Sequence, residues 1–382
     1  MTEWRIPFNR PSIVGDEIST MAQALAASHI SGDGSFTHRC HELLEEQLGV
    51  SKALLTTSGT HALELAALLL DIQPGDDVIV PSFTFVSTAN AFVLRGARPI
   101  FIDIRPDTLN LDETQLEAVL TPRTRAVVAV HYAGVGCEMD AIGAFAQAHG
   151  LAVVEDNAHG LFGAYRGRPL GSFGQLAAQS FHETKNVTCG EGGALLINRR
   201  DLVARAEILR EKGTDRTRFA RGEVDKYGWV DIGSSYLPSD LLAAFLYAQL
   251  LRQDEIQQKR RRIWHRYHDS LVGLAAERGL TLPFVPAHTE QAYHMFYLIL
   301  SSFVARQQLL AHLKREGILA AFHYLPLHSS EFARRSGFPQ ASCPVTERIS
   351  ARLVRLPFFT NMSDAEVDDV VSAVASCPFS AA

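Results

Sequence analysis

The sequence predicts an α/β protein with a large domain built on a mostly parallel sheet between helices, followed by a smaller α+β domain. Three observations carry this reading. From about residue 53 to residue 197, short apolar, β-rich runs alternate with longer helical ones, the rhythm of strand–helix–strand units. A polar, charge-mixed stretch at 214–226 then interrupts the pattern and reads as an excursion loop. Beyond it, a helix that opens apolar at Asp240 passes into the charged run 253–262, which sets a domain boundary near 250 and gives domains 1–250 and 251–382.

Each element has a local reason. The stretches 77–80, 99–103, 126–130, 151–155, 177–181 and 194–197 are short and mostly apolar, as strands covered on both faces should be. Between them 60–70, 87–95, 112–120 and 140–149 read as helices, most opening on a Ser, Thr or Asp able to cap the first free amides. In the C-terminal part, helices are expected at 305–316, 345–353 and 363–374 and a strand at 294–300. Loops that follow parallel strands gather at one edge of the sheet. Ligands bind there in open α/β folds, so polar residues at that edge are the first site candidates.

Composition and missing motifs narrow the function. With 36 Lys plus Arg against 42 Asp plus Glu the formal charge is −6, so no overall positive field gathers a nucleic acid. Five scattered cysteines without a CxxC pair indicate neither a disulfide framework nor a zinc site, and fit reduced thiols in a cytoplasm. The N-terminus lacks the layout of a secretory signal, and no apolar run approaches the roughly 20 residues of a membrane helix. A soluble cytoplasmic protein without a membrane partner is expected. No Walker phosphate loop or nucleophile elbow occurs, and Gly32-Asp33-Gly34 and Gly134-Val135-Gly136 lack the third glycine of a dinucleotide fingerprint. In the segment His41 to Glu45 a glutamate stands where a zincin has its second histidine, so this piece is expected to be an exposed helical turn and no metal site is expected.

Four segments carry chemistry together. Lys185 follows a predicted buried strand and precedes the glycine-rich turn Gly190-Glu191-Gly192-Gly193. A lysine partly desolvated at that edge has the depressed pKa that Schiff-base chemistry with an aldehyde cofactor needs, whereas alone it would read as a solvated loop residue. The strand at 151–155 runs into Glu155-Asp156, and adjacent carboxylates there call for a cationic partner. Asp156 either bonds the pyridinium nitrogen of pyridoxal phosphate or serves as a helix cap or structural ion pair; His159 either meets that cofactor's phenolic oxygen or fills the loop. Ser58, Gly59 and Thr60 precede an apolar helix whose amides and dipole suit a phosphate ester. Phe85, just after a strand, can stack on a flat ring or join the core.

In chain order, Ser58-Gly59-Thr60, Pro74 to Val78, Thr84-Phe85, Asp103, Glu155-Asp156, Ser180-Phe181, Lys185, Gly190 to Gly193, Tyr324 to His328 and Leu356-Pro357 resemble the DegT/DnrJ/EryC1/StrS family of sugar aminotransferases nearly end to end. The resemblance implies the fold-type I, aspartate-aminotransferase-like architecture of transferases that depend on pyridoxal 5'-phosphate, and a homodimer with shared active sites. It also implies transfer of an amino group to a nucleotide-linked keto sugar. By the same resemblance Lys185 holds the cofactor and moves protons, Asp156 meets the ring nitrogen, and Phe85 stacks. Gly59, Thr60 and Ser180 hold the phosphate, with Ser58 beside them a further cofactor-binding candidate, and His159 stands where glutamine is common. Family members bring an asparagine across the interface in a Gly-Tyr-Asn-Tyr-Arg segment; this chain reads Gly233-Ser234-Ser235-Tyr236-Leu237, so Ser235 takes that phosphate contact with shorter reach.

The phrases around Lys185, Arg210 to Thr214, Asp231 to Tyr236 and Ala321 to Tyr324 resemble the branch of the family that aminates C4 of dTDP-4-dehydro-6-deoxy-D-glucose, with glutamate as donor, in surface-glycan synthesis. A sister activity sets the opposite C4 configuration. His182, His323, Tyr324 and His328, with basic residues of the 212–226 loop, are the expected contacts to the sugar nucleotide. The rivals are a C3 aminotransferase, a sugar dehydratase, which carries histidine at the lysine position, and a non-catalytic binding protein that keeps the fold.

Overall fold

The computed structural model describes residues 4–378. Seven strands, β1 (Lys52–Thr56), β2 (Asp77–Pro81), β3 (Arg98–Ile102), β4 (Thr124–Val130), β5 (Ala152–Asp156), β6 (Leu176–Ser180) and β7 (Gly193–Ile197), form one sheet in the order β1-β7-β6-β5-β4-β2-β3. The pairs β2–β3, β2–β4, β4–β5 and β5–β6 are parallel. Only β7 runs against its neighbours β6 and β1. Apolar side chains cover both faces: Val78, Val80, Val128 and Val154 join one cluster, and Ile79, Val127, Ala129 and Val153 join another. The unbroken apolar runs in the sequence reflect this two-sided burial.

The reversal of β7 matters for the site. Because β6 and β7 are antiparallel, the segment between them closes as a short hairpin in place of a helical crossover. Its backbone is tied across: Phe181 N–H donates to Gly192 O (2.8 Å), Glu183 N–H to Gly190 O (2.9 Å) and Cys189 N–H to Phe181 O (3.0 Å). Gly190 at φ +84° supplies the turn that a residue with Cβ adopts only under strain.

The helix Gly59–Leu69 is capped by Ser58, whose Oγ accepts from His61 N–H at 3.1 Å, and it is buried on nearly every side. The helix Val86–Val93, by contrast, starts at Phe85 with no side-chain cap. The helix expected at 112–120 reduces to a 3-10 turn, Glu113–Gln115, and one helical turn, Leu116–Val119. Pro122 lies three residues past Val119, and proline neither donates to a helix nor fits its interior. The 214–226 stretch is not wholly loop, since Arg216–Ala220 forms a short helix stabilised by neighbours such as the Arg221–Glu207 pair (2.9 Å).

The helix Asp240–Leu251 ends at Arg252 (φ −108°, ψ 19°), where the long helix Gln253–Arg278 begins. Beyond it a separate apolar cluster gathers Ile263, Tyr267, Phe296, Leu309, Val354 and Val367, and Ile6 from the N-terminal segment packs into it. Two short antiparallel strands, β8 (Tyr297–Ile299) and β9 (Leu353–Arg355), run through this part. Asp103, just past β3, joins it to the large sheet by accepting from Val345 N–H, Thr346 N–H and the Thr346 hydroxyl at 2.7–2.8 Å.

The expectation of an exposed turn at His41 is wrong. His41 lies in the helix Ser35–Leu48 and is buried, and its Nε2 accepts from Leu55 N–H of β1 at 2.9 Å. A neutral imidazole acting as acceptor can be buried where a charged one cannot, and burial beside Arg210 holds its pKa well below the usual value. All five cysteines are buried and none is in a disulfide among the described residues, and no described helix is long and apolar enough to cross a membrane.

Candidate active site

A cavity of about 340 Å³ opens at the carboxyl edge of the sheet. Its floor comes from the ends of β1, β2, β5 and β6. The turn Ser58-Gly59-Thr60 presents the first amides of the Gly59–Leu69 helix, which have no acceptor within the helix. Two glycines let this turn settle onto the sheet. A Cβ on Gly59 would stand 2.9 Å from Ser180 Cβ, and one on Gly193 only 2.3 Å from the Ser58 carbonyl carbon. Thr60 Oγ1 bonds Ser87 Oγ at 2.8 Å, which ties the turn to the helix after β2.

The two carboxylates ending β5 divide their work. Glu155 is fully buried and faces away from the cavity: it accepts from the amides of Gly171, Phe173 and Gly174 at 2.7 Å and bonds His131 Nε2 at 2.9 Å. The expected cationic partner is thus replaced, for Glu155, mainly by backbone dipoles. Asp156 faces the cavity. Thr88 Oγ1 donates to its Oδ2 at 2.6 Å, Ala158 N–H to its Oδ1 at 3.2 Å, and Thr84 bonds Thr88 in turn at 2.8 Å.

Lys185 projects from the β6–β7 hairpin into the same cavity, and among the described residues its amine makes no hydrogen bond or ion pair. Desolvation pushes its pKa down to about 8; the charge of Asp156 opposes this, and that of Arg355 adds to it. The opposite wall comes from the C-terminal part of the chain. His159 stacks on His294 with centroids 4.2 Å apart, and Tyr132 OH bonds His323 Nδ1 at 3.1 Å. Burial holds the pKa of all three histidines well below the usual value, so they are neutral. His294 Nδ1 donates to Asn186 Oδ1 at 2.9 Å, which ties this wall to the residue after Lys185.

Of the residues singled out in the sequence, the cavity brings together Ser58, Gly59, Thr60, Phe85, Asp156, His159, Ser180 and Lys185, with His182, His323 and Tyr324. Phe85 is 55% exposed although apolar, its ring 6.4 Å from that of Tyr324. Two residues lie elsewhere. His328 does not line the cavity, and both its nitrogens are engaged, Nδ1 with Ser82 Oγ at 2.6 Å and Nε2 with Glu347 at 3.0 Å. Ser235 is exposed outside this chain's cavity, paired through its backbone with Glu211. Sequence reasoning missed Thr88, His294 and Arg355. The signal for Arg355 was a charge inside the apolar run Leu353 to Leu356, and for His294 a polar residue inside Tyr293 to Leu298.

The residues fit pyridoxal phosphate. A free, partly desolvated amine suits an aldehyde, Asp156 suits a protonated ring nitrogen, and the amide turn suits a phosphate. His159 Nδ1 is a buried nitrogen without a partner, available to an oxygen of the ring. A fold and cavity of this kind define a pyridoxal-phosphate-dependent aminotransferase. Residues 11–375 match the DegT/DnrJ/EryC1/StrS aminotransferase family, and the chain belongs to it. It is similar to the aminotransferase TlmJ from Streptoalloteichus hindustanus, at 29% identity over 98% of each chain with a TM-score of 0.88. DesV of S. venezuelae, solved in complex with a ketimine intermediate, matches at 30% identity over 97% of this chain and 98% of that one, with a TM-score of 0.87. Spr1654 of Streptococcus pneumoniae, solved in PMP and PLP forms, matches in its PMP form at 26% identity over 98% and 99%, with a TM-score of 0.90.

Proposed function

We propose that this aminotransferase moves the amino group of L-glutamate to C4 of dTDP-4-dehydro-6-deoxy-D-glucose, giving dTDP-4-amino-4,6-dideoxy-D-galactose. The observation that carries amino transfer is Lys185, an unpaired amine with its pKa near 8, sharing one cavity with Asp156. The sugar reading is supported by Spr1654, which carries the designation sugar aminotransferase. The C4 reading is supported by the resemblance of the segments around Lys185, Lys212, Ser235 and Tyr324 to dTDP-4-amino-4,6-dideoxygalactose transaminase. The product with opposite C4 configuration is the second reading, because the outcome depends on which face of the bound sugar Lys185 protonates.

The chain's own groups supply the following steps. When bound, pyridoxal phosphate supplies a ring that withdraws electrons from the carbon being deprotonated. The turn Ser58-Gly59-Thr60 with Ser180 would hold its phosphate, and Asp156, oriented by Thr88, would keep its ring nitrogen protonated. Phe85 would cover one ring face and His159 Nδ1 would meet the ring oxygen. Lys185 Nζ takes the α-proton of the donor and later delivers a proton at C4 of the sugar. With its pKa lowered to about 8, a minority of it is neutral near physiological pH and able to accept that proton, far more than of an ordinary lysine. His182, His323 and Tyr324 line the space left for the hexose. We further propose a cytoplasmic homodimer in which Ser235 reaches the partner's phosphate site.

Incubating the protein with dTDP-4-dehydro-6-deoxyglucose and glutamate, and reading the C4 proton couplings of the product by NMR, tests the proposal. An axial amine at C4 is expected. An equatorial one establishes the sister activity, amine at C3 overturns the C4 assignment, and a product lacking nitrogen would point to the dehydratase.

A further inference from the structure

A second cleft, of about 730 Å³, lies outside the reaction cavity, and no residue lines both. It runs between the helix Gln253–Arg278 and the segment 285–293. On the helix, Gln253, Gln257, Arg261 and Trp264 recur at helical spacing and so share one face. Three residues lining the cleft hold a buried polar atom with no partner: Trp264 Nε1, Thr289 Oγ1 and Gln253 Oε1. Trp264 is only 5% exposed and Thr289 7%, so bulk solvent does not serve them. Orphaned polar groups are costly and rare in native folds, and three of them gathered at one cleft point to a ligand.

The walls are also held at a cost. Phe162 (φ +70°) and Tyr293 (φ +50°) line the cleft from left-handed backbone, which bulky residues adopt only under strain. Both rings are half-buried, leaving apolar surface to the cleft.

The chemistry of the orphaned groups selects the ligand. The Trp264 N–H only donates and the Gln253 carbonyl only accepts, while the Thr289 hydroxyl does either. An anion serves only the first and a cation only the second. A hydroxyl group serves both. The rim agrees, because Arg261, Asp254 and Glu290 form no ion pair with a described residue and their opposed signs favour neither kind of ion. Water would serve the polar atoms but leave the Phe162 and Tyr293 rings uncovered, whereas the C–H face of a sugar packs on such rings.

We propose that this cleft binds an uncharged hexose unit, separately from the sugar that is aminated. The site is close to the chemistry without entering it. Gln257 lines the cleft, accepts from Asn186 Nδ2 at 3.1 Å and donates to Ala292 O at 3.3 Å, and Asn186 directly follows Lys185. A hexose seated there lies one side chain from the mount of the amine. The inference does not depend on which donor or keto sugar the reaction uses.

The test is fluorine NMR on the holoenzyme labelled with 5-fluorotryptophan. Its three resonances come from Trp4, Trp229 and Trp264, and Trp4→Phe and Trp229→Phe assign them. Methyl β-D-glucopyranoside or methyl β-D-galactopyranoside should displace the Trp264 resonance and saturate at roughly 1–10 mM, as suits an open site for a neutral ligand. Thr289→Val and Gln253→Leu, both outside the reaction cavity, should each weaken this binding about fivefold. A Trp264 resonance unmoved at about 100 mM of either hexoside, well past the expected range, overturns the proposal without any variant. Binding equally strong in both variants places the hexoside elsewhere and also overturns it. So does a resonance that answers to sulfate, methylammonium or N-acetylalanine amide but not to the hexosides, since the cleft would then take an anion, a cation or a peptide. Maltose and UDP-glucose separate two sources of the unit: tighter binding of the first indicates a free glycan and of the second a nucleotide-linked sugar, and either upholds the site.

Discussion

The cavity has a floor and a wall of different origin. The floor comes from loops directly after β1, β2, β5 and β6, so each functional residue sits within a few positions of a strand end. The wall comes from His294, His323, Tyr324 and Arg355, more than a hundred positions from Lys185. The floor is tied by backbone amides and close-set glycines. The wall is joined to it by few polar bonds, among them His294–Asn186 and Tyr132–His323. In the proposed reaction the floor seats the cofactor and the wall meets the substrates.

Substitutions can break that contrast. Lys185→Ala should lower turnover by at least about 1000-fold and abolish the visible band that forms on adding pyridoxal phosphate; a variant that keeps the band removes the amine from its assigned place. Next in size is Gly193→Ala, whose Cβ would press 2.3 Å from the Ser58 carbonyl carbon. Displacing the phosphate turn should weaken cofactor binding by roughly 100-fold, measured by fluorescence titration, while an unchanged affinity would mean the turn does not seat the phosphate.

The two carboxylates of β5 sharpen the comparison within the floor. Glu155→Gln weakens a cluster of three amide bonds and should destabilise the fold by about 2 kcal/mol in denaturant titrations, with kcat nearly kept. Thr88→Val frees Asp156 and should do the reverse, lowering kcat about tenfold while costing at most about 1 kcal/mol of stability.

The smallest effect is a shift in pH dependence. Folding depresses the pKa of Lys185, so its amine is uncharged and able to attack above about pH 8 and blocked by a proton below it. The rate at which cofactor-free protein captures pyridoxal phosphate should therefore climb up to that pH and then level. Asp156→Asn removes a charge that favours the ammonium and should move the midpoint down; Arg355→Gln removes a repelling cation and should move it up. Midpoints that move in the same direction would contradict this account.

The floor was legible in the sequence and the wall was not, for a physical reason. Strand-end loops of a parallel sheet converge by topology, so Ser58, Phe85, Asp156 and Lys185 could be placed together from local patterns alone. His328 and Arg355 show what such patterns lack. Both are polar residues near apolar runs in the C-terminal part, yet one has both ring nitrogens occupied and the other projects unpaired into the cavity. Only long-range contacts separate them, Ser82 and Glu347 for His328 and the pairing of β8 with β9 for Arg355. The adjacent Glu155 and Asp156 make the same point in miniature, since the pleat sends neighbours to opposite faces.

The hairpin between β6 and β7 has a consequence for how the enzyme moves. Its main chain is laced at three levels and Lys185 N–H is itself bonded to His182 O at 2.9 Å, so the loop is a fixed mount. Whatever travel the amine makes between donor and acceptor carbons must come from rotation about the four-carbon side-chain tether. A catalyst arranged this way performs its proton relay by swinging a single arm from a fixed mount.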